Sequence, residues 1–467
     1  MKLPPSIIDK GIPALTALIA IAAVGAWVAL TERGPNVLER SFELDAPRPV
    51  SPASAPTLTG TTFYNPAVPV TTSTESWPCF RGAARDDISQ STAQLAPTWP
   101  TSGPPRLWSV AAGQGYAGAS VAGGRVYLLD YDEAAQCDSL RCFALESGRE
   151  IWRRSYPVAI KPNHGISRTV PAVSGRYVVS LGPKCNVLCA DAVNGAVIWR
   201  IDLVAEYGAT VPDWYAGQCP LIDGGRAILA PGGSSLLIAV DLATGKPAWK
   251  TPNPHGWNMT HASVLPVTVA GTPMYVCCTT GGVVGVSAKD GTTLWENTGW
   301  TIPTAVVPTP VDVGGGRIFL SGGYGAGAMM LQVEQTDGKW TTRSLFRTPP
   351  QVFGSDQQTP IFYKGFLYGV IPGGQLVCLD LTGHQRWASG DAHRYGLGPY
   401  AIAGSRIYVL NDHGALDLVD AAPDAYHLRA SAAILPGPEA WGPLAIAGNR
   451  LIARDLTHVV CLDIEKR

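Results

Sequence analysis

Residues 239–249 read Ala239-Val240-Asp241-Leu242-Ala243-Thr244-Gly245-Lys246-Pro247-Ala248-Trp249. Shortened or varied forms of this phrase recur along the chain, and the tryptophans that mark the repeats lie 44 to 50 residues apart. These tryptophans are Trp108, Trp152, Trp199, Trp249, Trp295, Trp340 and Trp387. A period of this length, with several short strands in each unit, is typical of a β-propeller blade. The sequence therefore predicts an all-β protein built from repeated blades.

Each repeat contains four short runs of alternating apolar and polar residues separated by glycine-rich turns, which is the pattern of antiparallel strands. Seven repeats are complete and an eighth lacks its tryptophan strand; they begin near Ser120, Pro171, Pro220, Ser263, Pro310, Pro360, Pro399 and Pro443. Residues 106–110 form a tryptophan strand without a blade. We expect the two ends of the chain to pair, because closure removes the open sheet edges of the ring. The predicted fold is an eight-bladed β-propeller of four-stranded blades.

Two repeats depart from the pattern. The fifth has Trp340 two residues closer to its turn than the other repeats, and residues 424–428 stand where the seventh should have a tryptophan. We expect both blades to keep the fold, since repeats drift where packing permits.

The first residues of the chain differ in character from the repeats. Residues 12–30 are apolar apart from Pro13, Thr16 and Gly25, and a run of this length just spans a bilayer core. Lysines precede the run and mixed charges follow it, which predicts a cytoplasmic N-terminus and an exported remainder. The alternative is a cleaved signal peptide, for which residues 24–26 offer a small-residue cleavage site.

The chain is therefore predicted to have three parts. Residues 1–45 hold a cytoplasmic start, one transmembrane helix at about 12–30 that acts as a signal anchor, and a juxtamembrane segment. Residues 46–75, rich in Pro, Ser and Thr, are a linker. Residues 76–467 are the propeller, which we expect in the periplasm or at the cell exterior. A net charge of −1 gives no basic face for nucleic acid.

The loops that enter the innermost strands of a propeller meet around one mouth of its central channel. In this chain those loops carry His, Arg, Gln, Tyr and Trp, where plain turns need only Gly, Pro, Asn, Asp or Ser. Such a mouth suits a small polar or sugar-like ligand, a quinone or a peptide; alternatively, the side chains fill the channel and bond to one another. The predicted lining residues are His164, Arg168, Tyr215, Gln218, Asn258, His261, Asp356, Gln357, Arg394 and Trp441.

Within this set, Asp356 and His261 are candidates for a catalytic base, although the sequence contains no paired carboxylates and no oriented triad. We predict no metal site, because Asp356, Glu439 and Asp213 are few acids for a hard cation.

The repeated Ala-x-Asp-x-x-Thr-Gly-Lys-x-x-Trp phrase resembles the tryptophan-docking motif of pyrroloquinoline quinone (PQQ)-type eight-bladed propellers. The segment Trp77-Pro78-Cys79-Phe80-Arg81-Gly82 is similar to the start of many exported bacterial PQQ-like repeat proteins. This resemblance places the propeller in the quinoprotein alcohol dehydrogenase-like superfamily. Such proteins include PQQ-dependent dehydrogenases of alcohols or sugars and cofactor-free scaffolds such as the outer-membrane assembly propeller, so the fold does not settle the function.

For the dehydrogenases, the resemblance implies PQQ, a calcium ion and often a vicinal disulfide against the quinone. This chain has the pair Cys277-Cys278, but inside a predicted strand, which favours ordinary buried cysteines. Three hypotheses remain. The preferred one is a membrane-anchored binding or scaffold module with no cofactor, which holds a protein partner or small polar ligand at its mouth. The alternatives are a PQQ- and calcium-dependent dehydrogenase and a sugar-binding propeller.

Overall fold

The computed structural model describes residues 20–23, 62–161 and 165–466. Residues 20–23 are helical, and the rest of the predicted transmembrane helix at about 12–30 lies outside the described residues. In the described ranges, no helix is both long and apolar enough to cross a membrane. The membrane anchor therefore stays a prediction.

The propeller is built from eight sheets, each with four antiparallel blade strands. The strands are β1 (Phe63–Tyr64), β2 (Ile88–Ser89), β3 (Arg106–Ala111), β4 (Ala119–Ala122), β5 (Arg125–Asp132), β6 (Cys137–Ala144), β7 (Glu150–Pro157), β8 (Ala172–Ser174), β9 (Tyr177–Leu181), β10 (Asn186–Asp191), β11 (Val197–Asp202), β12 (Leu221–Asp223), β13 (Arg226–Leu229), β14 (Ser235–Asp241), β15 (Pro247–Pro252), β16 (Leu265–Val269), β17 (Thr272–Thr279), β18 (Gly282–Ser287), β19 (Thr293–Asn297), β20 (Val311–Asp312), β21 (Arg317–Gly322), β22 (Gly327–Thr336), β23 (Lys339–Thr348), β24 (Ile361–Tyr363), β25 (Phe366–Val370), β26 (Leu376–Asp380), β27 (Gln385–Ala388), β28 (Tyr400–Ala403), β29 (Arg406–Leu410), β30 (Ala415–Asp420), β31 (Leu428–Ala433), β32 (Gly442–Ala447), β33 (Arg450–Arg454) and β34 (His458–Asp463). A short helix, α1 (Leu203–Tyr207), follows β11.

Blades 1 to 8 have as innermost strands β4, β8, β12, β16, β20, β24, β28 and β32. Each innermost strand begins within two residues of a repeat start expected from the sequence, so the eight-bladed fold is confirmed. The core is a series of apolar clusters between neighbouring blades. One such cluster joins blades 2 and 3 and another joins blades 4 and 5.

The ring closes as predicted. Strand β3, from the N-terminal side, pairs antiparallel with β34 and completes blade 8 as its outer strand. Trp108 of β3 lies opposite Cys461 of β34.

The docking of each tryptophan on the next blade explains the glycine of the repeated phrase. The indole N–H of Trp108 donates to the carbonyl of Leu145 at 2.7 Å, and Gly148 lies beneath the ring. A Cβ on Gly148 would come within 2.7 Å of that ring, and its φ is +63°. Glycine is required here because it accepts both the positive φ and the close approach.

A column of small residues, in the strand that precedes each tryptophan strand, also follows from the tryptophans. The pairs that face each other across the outer two strands are Cys142 with Trp152, Cys189 with Trp199, Ala239 with Trp249, Gly285 with Trp295 and Cys378 with Trp387. A small side chain opposite each indole leaves room for the ring, so these cysteines are packing residues.

Blade 5 corrects one expectation. Its outer hairpin, β22 and β23, is longer than the others, and the residue that docks on the next blade is Phe346, 3.0 Å from the Cβ position of Gly383. Trp340 lies near the tip of the hairpin, opposite Gln335. In blade 7 the docking position holds Ala430, opposite the larger Leu418.

Two blades have a fifth strand that the repeat count did not include. Strand β1 pairs with the outer strand β7 of blade 1, and Val68 is buried in the cluster between blades 1 and 2. Part of the segment assigned to the linker thus packs on the propeller. Strand β2 pairs in parallel with the innermost strand β28 of blade 7.

Residues 77–89 fill the central channel and end in strand β2; we call this segment the plug. It bonds to the channel-facing edges of six blades, through Trp77 with Val121, Pro78 with Val173, Arg81 with Pro360, Arg85 with Ile222, Asp87 with Ile402 and Ser89 with Ile446. Within it, Arg81 Nε donates to buried Asp87 at 2.6 Å. Burial raises the pKa of Asp87 to about 6, against the lowering effect of Arg81. A groove of about 240 Å³ lies beside the plug.

Candidate functional site

The plug bonds mainly to the ends of the innermost strands, and the mouth is the side of the ring where those strands begin. The entries of blades 1 and 2 pair with each other at this mouth. Tyr116 N donates to Ser167 O at 2.6 Å, and Ile166 N donates to Gln114 O at 2.9 Å. This pairing fixes the position of the next residue, Arg168, just before β8.

Arg168 is the central cation of the mouth. Its guanidinium carbon lies 5.1 Å from the centroid of the Tyr116 ring, a cation–π contact. Its Nε and Nη2 are buried and have no hydrogen-bond partner, and within the described part of the chain it forms no ion pair. Burial lowers the pKa of Arg168, and the nearby Tyr116 and Glu439 oppose this effect. An arginine stays charged under such conditions, so the mouth holds a positive charge whose Nε–Nη2 edge is shielded from water.

An aromatic wall stands beside this cation. Tyr116 and Trp441 pack with ring centroids 4.8 Å apart. The Tyr116 hydroxyl donates to Glu439 Oε2 at 2.6 Å, and Trp441 Nε1 donates to Asp412 Oδ1 at 2.7 Å. Burial and the charge of Glu439 raise the pKa of Tyr116. Both rings are therefore held in place by carboxylates of blades 7 and 8.

His261 is a neutral group in this site. Burial, assisted by the positive charge of Arg168, lowers its pKa from an ordinary 6.5 to about 4. The ring packs over Gly217, where a Cβ would come within 2.7 Å of Nδ1, and lies 6.5 Å from the ring of Trp214. At neutral pH the imidazole can accept or donate a hydrogen bond without adding charge.

Two tyrosines border the same region. The Tyr215 hydroxyl donates to the carbonyl of Lys161 at 2.6 Å, and its ring lies near enough to Arg168 for their charges to interact. Tyr324, also within electrostatic range of Arg168, is 56% exposed in the turn between β21 and β22. Tyr324 was not among the predicted lining residues. The sequence feature that could have identified it is a bulky aromatic residue between Gly323 and Gly325.

Two other predicted lining residues form hydrogen bonds within and between blades 3 and 4. Gln218 is buried, and its Oε1 accepts from Ala230 N at 2.9 Å while its Nε2 donates to Ala262 O at 3.4 Å. It therefore ties the entries of blades 3 and 4 together. Asn258 is half-buried between these blades, and its backbone N donates to Thr280 Oγ1 at 2.9 Å.

The remaining predicted residues are spread over the mouth face. Arg394 lies on the rim and donates to Asp391 at 2.6 Å. Asp356 is half-buried against Gly323, where a Cβ would come within 2.3 Å of Oδ1, and Gln357 is half-buried beside it. His164 lies outside the described residues. Glu439, which anchors Tyr116, was named in the sequence as an acid near the mouth but was not among the predicted lining residues.

The described residues do not fit a calcium–quinone site. Among them, no group of three or more His, Cys, Asp or Glu side chains lies close enough to hold a metal ion. Cys277 and Cys278 are buried free thiols in β17, packed into the clusters on opposite sides of blade 4. Burial raises the pKa of Cys277 to about 12. A vicinal disulfide facing a quinone would have to leave both clusters.

Comparisons with known proteins place the chain in a family. A family model described as "Outer membrane protein assembly factor BamB" matches residues 136–389, more than half of the chain. The chain belongs to this family of PQQ-like repeat propellers. No curated protein sequence matches the chain.

Solved structures share the fold at low sequence identity. BamB from Moraxella catarrhalis is 14% identical with a TM-score of 0.55, and the match covers 78% of this chain and 99% of that one. The computationally designed Ika8 protein is 10% identical with a TM-score of 0.52, covering 77% and 100%. A quinohemoprotein alcohol dehydrogenase from Comamonas testosteroni is 11% identical with a TM-score of 0.50, covering 84% and 81%. At such identities the likeness concerns the fold alone.

Proposed function

We propose that the protein is a binding module of the scaffold type, whose mouth holds a partner or ligand. The observation that carries the proposal is Arg168 at the mouth, whose Nε and Nη2 are buried and have no hydrogen-bond partner. Native proteins pair nearly all buried polar groups, and exceptions call for an explanation such as a missing partner. Aromatic side chains with a few converging polar groups are also typical of ligand sites.

The family supports a scaffold role in general terms. The matching family model bears the name of an assembly factor for outer membrane proteins. A propeller that presents a rigid, decorated face is suited to holding a second protein, and no chemistry of its own is needed for that role. Because the described residues do not fit calcium and PQQ, we do not adopt the dehydrogenase hypothesis.

Photocrosslinking in cells tests the binding role. A photoreactive amino acid replaces Tyr324 at the mouth, and the matched control carries it at Val193, 48% exposed in the turn between β10 and β11 on the opposite face. We expect a discrete adduct from position 324 and none from position 193. An adduct from position 193 alone would move the binding surface away from the mouth, and no adduct from either position would overturn the proposal.

We further propose that residues 12–30 anchor the protein with its N-terminus in the cytoplasm and the propeller exported. The supporting observation is the apolar run with lysines before it. Alkaline phosphatase fused to the C-terminus needs an oxidising compartment for its disulfides. We expect an active fusion that stays with membranes after alkaline washing; an inactive fusion would contradict export, and release by washing would contradict the anchor.

A further inference from the structure

Resting on the proposed function, we propose that the ligand of the mouth carries a carboxylate, which binds side-on to Nε and Nη2 of Arg168. The two unpaired nitrogen donors of Arg168, Nε and Nη2, indicate the chemical class of the ligand.

The two unpaired donors belong to one edge of the guanidinium. The Nε–H and Nη2–H bonds point in the same direction, and their separation matches the two oxygens of a carboxylate. In the described ranges, other arginines with buried unpaired atoms, such as Arg85, Arg406 and Arg454, leave only Nε without a partner. Arg168 alone among them leaves both donors of this edge unpaired.

The paired arginines show what this edge does elsewhere in the protein. Arg141 presents Nε and Nη2 to the two oxygens of Glu150, at 2.9 and 2.7 Å. Arg153 binds the same carboxylate with the same two atoms, at 2.8 Å each. A carboxylate at Arg168 would repeat an arrangement that the fold already contains twice.

No side chain of the described part supplies that carboxylate at Arg168. Glu439 lies within electrostatic range of Arg168, and its Oε2 accepts from the hydroxyl of Tyr116. Nε and Nη2 of Arg168 have no hydrogen-bond partner among the described residues, and an incoming carboxylate would pair both. Leaving a buried donor unpaired costs more than forming the bond gains, so the ligand recovers this free energy on binding.

The surrounding charges favour a monoanion over a phosphate. Burial and the charge of Arg168 keep His261 neutral at pH 7, since its pKa is about 4. Arg394 on the rim is already paired with Asp391. A carboxylate brings one negative charge to Arg168 beside Glu439, whereas a phosphate dianion brings two and is repelled more strongly by Glu439.

The aromatic wall indicates the rest of the ligand. The Tyr116 ring covers one face of the guanidinium, and Trp441 extends the wall from there. A group attached to the carboxylate meets these rings, so we expect an apolar or planar body. Exposed Tyr324, within electrostatic range of Arg168, lies on the solvent side of this site.

Benzoate, benzamide and inorganic phosphate, titrated into the full-length protein in detergent, test the inference by calorimetry. Benzoate and benzamide have the same shape, and only benzoate has the charge and two equivalent oxygens. We expect benzoate to bind and benzamide not to bind. Arg168→Gln should weaken benzoate at least ~10-fold, as expected for charge-assisted hydrogen bonds. The control Arg343→Gln, which removes an exposed ion pair with Glu334 in the outer hairpin of blade 5, should leave the affinity unchanged.

Arg168→Gln removes no existing hydrogen bond or ion pair, so we expect it to fold, and a melting curve checks this. Peptides with free and amidated C-termini show whether a polypeptide can be the source of the carboxylate. Equal binding of benzoate by Arg168→Gln, or a preference for phosphate, would overturn the inference. Binding of benzamide as tight as benzoate would also overturn it, while the proposed role of the mouth would stand. Absence of all binding overturns the inference, and the crosslinking at Tyr324 separately decides the binding role.

Discussion

At the scale of single residues, the mouth keeps a cation and a neutral imidazole side by side. Arg168 keeps its proton, whereas His261 loses its proton readily. Burial and the repulsion between the two positive charges therefore lower the pKa of His261. Arg168 lies in the loop before the innermost strand of blade 2, and His261 in the loop before that of blade 4, so only the closed propeller brings them together.

This coupling predicts a pH dependence of stability. The unfolded chain binds a proton at His261 near pH 6.5, and the folded protein does so only near pH 4. Between these values the unfolded state holds more protons, so stability falls as the pH is lowered from about 6.5 to 4. His261→Gln should therefore lose less stability than the wild type between pH 7 and pH 4.5, measured by denaturant unfolding. An identical pH dependence of the two proteins would show that His261 titrates normally.

Buried carboxyls act in the opposite direction. Burial raises the pKa of Asp138 to about 7, so its contribution falls as the pH rises from about 4 to 7. Both proteins in the comparison contain Asp138, and its effect cancels in the difference.

The sequence predicted which side chains lie at the mouth, but it could not predict what each of them contacts. Arg168, Tyr215, His261 and Trp441 were recognisable because such residues exceed the needs of a turn. The sequence could not show that Gln218 turns inward to bond two backbones, or that Glu439 anchors Tyr116. These outcomes depend on side-chain direction and on contacts between distant blades.

At the scale of strands and turns, the repeated phrase works by docking one blade on the next. Gly195, with φ +70°, receives the ring of Trp152, and a Cβ there would come within 2.6 Å of it. Gly175, in another turn of blade 2, has φ +56° and nothing within 4 Å of its Cβ position.

This pair of glycines predicts two different losses of stability. Gly175→Ala should lower the free energy of unfolding by about 1 kcal/mol, because alanine must adopt the left-handed backbone conformation there. Gly195→Ala has the same backbone strain, and its clash with the Trp152 ring should lower the free energy of unfolding by about 2 kcal/mol more. The free energy of unfolding of both variants measures the difference. Equal losses would mean that the indole moves aside at little cost.

The repeat spacing predicted blade number and strand order because a blade is a local unit with local turns. It failed at Trp340 because the longer hairpin of blade 5 moves the docking position to Phe346, and spacing alone could not show this. The plug was also beyond prediction, since residues 77–89 have no repeat pattern and are held by bonds to distant strands.

At the scale of the whole molecule, every cysteine lies in packed interior. All ten cysteines are free and buried. Burial raises the pKa of those at the tryptophan positions, for instance to about 12 for Cys189, which suppresses the reactive thiolate. A thiol reagent should find no reactive cysteine in the native protein and ten after unfolding without reductant. Eight or fewer after unfolding would indicate that disulfides form in the protein.

The misfit to a calcium–quinone site predicts the response to that cofactor. A ligand at 100 times its dissociation constant stabilises by about 2.7 kcal/mol, which is visible as a higher melting temperature. PQQ is itself a planar carboxylate, so we expect calcium to add nothing to any rise in melting temperature that PQQ gives through Arg168, and we expect no dye-linked alcohol oxidation. A calcium-dependent rise that Asp356→Ala and His261→Ala abolish would instead establish a dehydrogenase site at the mouth.

The closure of the ring also sets an order of events during synthesis. Ser89 of the plug bonds to Ile446, 357 residues later, and β3 must wait for β34 in the same way. The segments made first are thus the last to find their partners, and a nascent chain carries them unpaired until the final blade emerges. Contacts of such sequence separation form slowly and leave strand edges open to aggregation. We expect the newly made chain to depend on a chaperone for as long as the eighth blade is missing.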